Sequence, residues 1–232
     1  MPNAIITGAS RGLGLALARA LAARGWTLTI DARGASDLEA VARELGAITE
    51  IRAIAGDVAD PKHRRALIEA AGPAIDLLVN NASLLGPSPQ PELSEYPLDE
   101  LERVYRVNAI APLALSQLAL PKLRHGAAIV NVTSDASIEP YEGWGGYGSS
   151  KAALDQLSAI LAAERPSIRV YAVDPGDMRT QMHQEAFPGE DISDLPPPED
   201  SVPGLLELIE GDRPSGRYQA RELTPTHEHA GV

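Results

Sequence analysis

The stretch Ala4-Ile5-Ile6-Thr7-Gly8-Ala9-Ser10-Arg11-Gly12-Leu13-Gly14 decides the fold. Ala4 to Thr7 is a short apolar run that stops at glycine. Leu13, Ala16, Leu17, Ala20 and Leu21 then recur at helical spacing, so the segment reads strand, glycine turn, helix. Gly25 stands where a left-handed C-terminal cap belongs, and Trp26 to Ile30 restarts as a strand. In such a βαβ unit Gly8, Gly12 and Gly14 let the chain reverse and bring backbone N–H groups and a helix N-terminus against a phosphate. The spacing departs from G-x-G-x-x-G, so a plain glycine-rich tight turn is the competing reading of the motif taken alone.

Working outward, the alternation continues. Leu38, Val41 and Leu45 form a short amphipathic helix ending at Gly46, and Ile51 to Ala55 is a third strand closed by Gly56-Asp57-Val58. Asp60-Pro61 is a helix start, aspartate as N-cap and proline at the first helical position. Ile75 to Val79 is a fourth strand running into Asn80-Asn81-Ala82, where the paired asparagines by themselves read as turn residues. Residues 83–97, with Pro87, Pro89, Pro91 and Pro97, are a loop. A long helix follows from Leu98 to Pro121, interrupted by Pro112, which has no N–H for the Asn108 carbonyl. The sequence leaves open whether this is a plain kink or a site that holds an ordered water.

Ala127 to Val132 is a fifth strand, apolar enough to be buried on both faces, and it delivers Thr133 and Ser134 at its carboxyl end. Ile168 to Val173 is a sixth, ending in Asp174-Pro175-Gly176. Residues 177–203 read as a flap or substrate lid, followed by a short helix (205–209) and a last strand (217–220). His227 and His229 in the polar tail read as solvated residues rather than metal ligands.

Between the fifth and sixth strands lies Thr133 to Lys151. If the segment from Tyr147 is helical, Tyr147 and Lys151, four apart, share one face one turn from each other. An ammonium there would favour the phenolate, and a tyrosine with an ordinary pKa of about 10 needs such help to act as a base. Ser134 can supply a donor to the same substrate oxygen. Taken alone, a solvated Tyr–Lys pair is the bland alternative.

Composition narrows the function classes. The 232 residues suit one α/β domain spanning 1–232, with the lid inside it. With no cysteine, neither a disulfide framework nor a thiolate nucleophile or metal site can form, and no metal site is expected. The net charge of −12 argues against nucleic acid and anionic membranes. No basic leader or long apolar window is apparent, so a soluble, cytoplasmic protein is the expectation.

Over nearly its whole length the chain resembles the short-chain dehydrogenase/reductase family, on motifs in register. These are T-G-x-x-x-G-x-G at Thr7 to Gly14, Asp57-Val58, N-N-A at Asn80 to Ala82, the helix asparagine Asn108, Ser134 thirteen before the tyrosine, Y-x-x-x-K at Tyr147 to Lys151, and Pro175-Gly176 with Thr180. The resemblance implies a three-layer, doubly wound parallel sheet of about seven strands, Rossmann-like. It implies a cofactor held by Gly8, Ser10, Arg11, Gly12, Leu13, Gly14, Arg33, Asp57, Val58, Asn80, Asn81, Ala82, Tyr147, Lys151, Pro175, Gly176 and Thr180. Tyr147 would be the general acid/base, Lys151 would lower its pKa and hold the nicotinamide ribose, and Ser134 would polarise the substrate carbonyl. Asn108 would hold, through the carbonyl that Pro112 frees, a water in a proton relay. Aligned from Gly25, Arg33 falls where NADP-preferring relatives keep arginine, Arg11 adds a second cation, and Asp31 falls one short of the NAD-type acid. NADPH rather than NADH is expected.

The implied activity is reduction of a ketone or aldehyde, or the reverse oxidation of an alcohol. The small-molecule substrate would meet Ser134 and a wall of Tyr141, Trp144, Met178, Met182 and Phe187. A non-catalytic NADP(H)-binding sensor or scaffold is the alternative from another class. The chain departs from the family at Ser83, where N-N-A-G is usual, at Thr133, and at S-G-R-Y-Q-A-R, which replaces a glycine-rich last strand that pairs subunits in tetrameric members. A homo-oligomer is possible, its order open.

Overall fold

Seven strands form one sheet in the order β3-β2-β1-β4-β5-β6-β7 in a computed structural model that describes residues 1–223. They are β1 (Asn3–Ile6), β2 (Thr27–Ala32), β3 (Ile51–Ala55), β4 (Ile75–Asn80), β5 (Leu123–Val132), β6 (Arg169–Asp174) and β7 (Gly216–Gln219), and every neighbouring pair is parallel. The helices are α1 (Gly12–Ala23), α2 (Ala35–Gly46), α3 (Pro61–Ala70), α4 (Leu98–Tyr105), α5 (Ala111–Ala119), α6 (Gly145–Glu164), α7 (Gln181–Ala186) and α8 (Val202–Glu210). No helix among the described residues is long and apolar enough to cross a membrane. The His227/His229 pair lies outside the described residues.

The strand alternation sorts the core into two layers. Ile6, Val79 and Val130 face one side with Leu17 and Leu21 of α1 and Leu205 and Leu208 of α8. Ile5, Leu78 and Ile129 face the other with Leu67 and Ile68 of α3 and Leu115 of α5. Burying each such side chain is worth roughly 2 kcal/mol. A sheet covered on both faces needs strands apolar on both faces, which is why β1 and β2 are buried at every residue. The strand order reverses between β1 and β4, so a crevice opens there at the carboxyl ends of the strands.

Among the elements that differ from the sequence reading are β2, β5 and the long helix around Pro112. β2 continues through Asp31 and Ala32, because Asp31 is accommodated inside by polar partners rather than ending the strand. β5 begins at Leu123, its first four residues less buried than the rest. The long helix around Pro112 is not a kinked α-helix. A π-helical turn over Arg106–Ile110 separates α4 from α5, with the Ala111 N–H reaching back to the Arg106 carbonyl. Pro112 thus sits in the first turn of α5, where a missing N–H costs least. The 177–203 segment holds α7 and a 3₁₀ turn at Pro198–Ser201.

Candidate active site

The glycine turn after β1 is held by side chains from three neighbours. Gly8 (φ +68°) donates its N–H to Asp31 Oδ1 at 2.7 Å, and the Ala9 N–H donates to the Asp31 carbonyl. Asn81 Nδ2 donates to the carbonyls of Thr7 (2.9 Å) and Gly8 (3.1 Å), and the N–H groups of Asn81 and Ala82 both donate to Thr7 Oγ1. A Cβ on Gly14 would lie 2.4 Å from the Gly8 carbonyl oxygen, so glycine is required for α1 to pack on the turn. Asp31 is 1% exposed and bonds His63 Nε2 of α3 at 2.8 Å. Burial pushes its carboxyl up, and the His63 and Gly8 hydrogen bonds pull it back.

A cleft of about 950 Å³ opens from this turn. Ser10, Arg11, Gly12, Leu13, Arg33, Asp57, Val58, Asn81, Ala82, Tyr147, Lys151, Pro175 and Thr180 all line it. The donors suit an anionic dinucleotide. Arg11 makes no side-chain cap on α1 and the first turn has no acidic residue, so the first N–H groups of the helix have no side-chain acceptor there. Arg33 stands on the rim with no carboxylate partner among the described residues.

Three expected cofactor residues are placed otherwise. Asn80 is buried in the sheet, donating to Asn131 Oδ1 at 2.8 Å, because β4 runs one residue further than its apolar run. Gly14 is packed beneath the turn, and Gly176 (φ +73°) lines only the adjoining smaller pocket.

That pocket is lined by Leu85, Thr133, Ser134, Asp135, Trp144, Asp174, Met178, Met182 and His183, among others. Tyr147 borders both cavities, with Lys151 on the cleft side and Ser134 on the pocket side. Trp144 packs on Tyr147 edge to face, 5.7 Å between centroids. Of the expected substrate wall, Phe187 stacks behind Trp144 and His183 rather than lining the pocket. Tyr141 is exposed, its hydroxyl donating to Asp135 Oδ2 at 3.0 Å.

α6 begins at Gly145, so Tyr147 and Lys151 do share a face, but the ammonium does not reach the phenol oxygen. Lys151 Nζ donates to the Val132 carbonyl at 2.7 Å and sits 5.4 Å above the tyrosine ring centre. Burial lowers the lysine from 10.5 to about 8, with Asp155 opposing. Lys151 thus meets Tyr147 across its ring rather than by a hydrogen bond to the phenol. Burial pushes the Tyr147 phenol well up, the hydroxyls of Ser83 and Ser134 pull it back, and Asp174 and Asp135 push it further. A phenol in this setting is a proton donor at neutral pH. The Ser134 hydroxyl donates to Asp135 Oδ1 at 2.8 Å and accepts the Ala136 N–H at 3.2 Å.

Asn108, fully buried, lines neither cavity. Its Oδ1 accepts from Ser83 Oγ (3.1 Å) and the Leu84 N–H (2.8 Å), while Nδ2 donates to the Leu84 carbonyl (2.8 Å) and Ser150 Oγ (3.0 Å). Its side chain therefore clamps the loop after β4 to α6, one turn from Tyr147. Ser83, Asp174, His63 and Arg217 join the site although the sequence assigns them no role there. Ser83 and the last strand stood out only as departures from the family pattern, and His63 and Asp174 carried no local signal.

The short chain dehydrogenase family model matches residues 2–191. A benzil reductase of Saccharomyces cerevisiae that forms (S)-benzoin is 34% identical over 215 residues, 88% of this chain and 79% of that one. Mouse (Mus musculus) sepiapterin reductase is 34% identical over 199 residues, 78% of this chain and 76% of that one. A short chain dehydrogenase from Shigella flexneri, solved in complex with NADP, superposes with a TM-score of 0.88 at 29% identity, covering 95% of this chain and 97% of that one. On the family match over residues 2–191 and these similarities, the chain belongs to the short-chain dehydrogenase/reductase family of oxidoreductases.

Proposed function

We propose that this chain reduces a ketone or aldehyde with NADPH, Tyr147 acting as the general acid. The observation that carries the reading is the position of Tyr147 where the dinucleotide-sized cleft and the smaller pocket adjoin, with Lys151 lining the first and Ser134 the second. When bound, the nicotinamide supplies the hydride. Tyr147 Oη protonates the carbonyl oxygen, Ser134 Oγ exchanges its bond to Asp135 for one to that oxygen, and Lys151 holds the nicotinamide ribose hydroxyls. Asn108 holds the relay that refills the phenol, with its side chain fixing the loop at Ser83 and Leu84. Residues 177–203 act as the lid. Arg11 of the glycine turn bonds Gln181 of α7, and Thr180 Cγ2 lies 3.6 Å from where a Cβ on Gly12 would be, so this segment already meets the turn across the cleft.

NADPH is favoured over NADH because Arg33 is free to meet a 2′-phosphate, while the Asp31 carboxylate is committed to Gly8 and His63. Leu85, Trp144, Met178 and Met182 favour an apolar or aromatic carbonyl, in keeping with the name of the yeast relative. The test is Tyr147→Phe assayed by NADPH oxidation over aldehydes, ketones and diketones. Turnover is expected to vanish while NADPH binding, followed by fluorescence, persists. Near-normal turnover in the variant refutes the mechanism, and tight NADPH binding by the wild type without turnover of any carbonyl points to a sensor.

A further inference from the structure

The last strand, S-G-R-Y-Q, is where this chain leaves the family pattern, and the structure gives its arginine an unusual set of partners. Arg217 enters from β7 with its side chain 26% exposed. Its Nε donates to Asp155 Oδ2 of α6 at 3.1 Å. One terminal nitrogen donates to the backbone carbonyl of Ser134 at 3.0 Å and lies 3.4 Å from Ser137 Oγ and 3.7 Å from Asp174 Oδ2 at the end of β6. Ser137 Oγ bridges the same partners, 2.7 Å from the Ser134 carbonyl and 2.6 Å from Asp155 Oδ2. One guanidinium therefore joins the carboxyl ends of β5 and β6 to β7 and to the helix that carries Tyr147 and Lys151.

We infer that Arg217 is a positioning residue for Ser134, fixing the peptide on which its hydroxyl is mounted. This rests on the assignment of Ser134 as the residue that polarises the substrate carbonyl. The physical reason is the planar fork of arginine, whose N–H directions are fixed relative to one another, so that bonding Asp155 dictates where the Ser134 carbonyl is held. Ser134 has extended backbone (φ −162°, ψ 159°) at the N-cap of a short 3₁₀ turn, where its carbonyl also accepts the Ser137 N–H at 3.1 Å, and Arg217 is the group that ties this turn to β7 and α6. Asp155 in turn depends on the network, since its Oδ1 is buried with no partner. The competing reading is a clasp that only ties the edge strand β7 to the sheet, which would alter stability and leave turnover alone.

The two are separated by steady-state kinetics, with the carbonyl substrate and NADPH each varied in turn, on wild type, Arg217→Met, Arg217→Lys, Ser134→Ala and the Ser134→Ala/Arg217→Met double variant, with thermal melts alongside. A misplacement of about 1 Å at the reacting centre costs on the order of 10²-fold, so kcat for Arg217→Met should fall by roughly that factor, with KM for NADPH unchanged. Arg217→Lys should recover part of kcat, because it restores the charge without the fork. With Ser134 already removed, deleting Arg217 should cost no further activity, since it acts through that serine. A wild-type kcat in Arg217→Met, or losses that multiply in the double variant, overturns the proposal. If Arg217→Met does not fold, the same cycle built on Arg217→Lys decides it by the same criterion. Absence of carbonyl reduction by the wild type would instead refute the reading on which the proposal rests, a failure visible before any variant is compared.

Discussion

Replacing Lys151 by methionine should remove activity without removing stability, and the pH dependence of that stability identifies the cause. Lys151 is 2% exposed, and burial brings its pKa from 10.5 to about 8. That fall corresponds to about 3 kcal/mol by which the folded chain disfavours the ammonium at neutral pH. Below pH 8 the lysine is protonated in both folded and unfolded chains, so the cost is constant. Between about 8 and 10.5 the unfolded chain holds more protons, and stability rises with pH. Methionine has similar length, fills the same space and never bears the cost. What it loses is the bond from Nζ to the Val132 carbonyl, worth roughly 1.5–3 kcal/mol for a charged donor. The two nearly cancel, so at pH 7 the variant should lie within about 1–2 kcal/mol of wild type. Urea unfolding of both proteins, at pH 7 and near pH 11, measures the difference. Relative to the variant, wild type should gain about 3 kcal/mol across that interval, other titrations cancelling in the comparison. A difference that stays flat with pH would refute the depressed pKa and the dry setting inferred for the ammonium.

Three further outcomes follow from named contacts. Gly14→Ala sets a Cβ 2.4 Å from the Gly8 carbonyl oxygen and 2.5 Å from Asn81 Nδ2, and overpacking of this kind costs typically about 1–3 kcal/mol. Its urea midpoint should fall and NADPH binding, read by fluorescence, should weaken with it. Arg33→Ser should raise KM for NADPH on the order of tenfold or more, the worth of a charge-assisted contact, and leave KM for NADH nearly unchanged; an equal effect on both would show that Arg33 does not meet the phosphate. Asp60→Ala removes the N-cap of α3, whose carboxylate accepts the Lys62 N–H at 2.8 Å. A loss of about 1 kcal/mol in denaturant unfolding with unaltered kcat is expected, since Asp60 does not itself line the cleft.

The sequence by itself determined the order of strands and helices, because apolar runs, glycine stops and the Asp60-Pro61 cap are local signals that survive into the structure. It also placed Gly8, Gly12 and the Tyr147–Lys151 pair, whose spacing is meaningful within one turn or one helix. Boundaries drifted where a polar residue was buried by distant partners. Asp31 looked like the end of β2 until His63 and the Gly8 N–H enclosed it, and Asn80 looked like a loop residue until Asn131 paired with it across the sheet. Pro112 has no N–H for the Asn108 carbonyl, a loss the sequence shows, while the π turn over Arg106–Ile110 that precedes it has no local sequence signal. The electrostatics of the site belonged to the tertiary structure alone. A lysine four residues from a tyrosine suggests a lowered phenol, yet burial dominates both groups and the ammonium settles on the Val132 carbonyl. The Arg217 network is the clearest case. Its partners at 134, 137, 155 and 174 lie 43 to 83 residues away along the chain, and only the parallel order β5-β6-β7 brings their ends to one guanidinium.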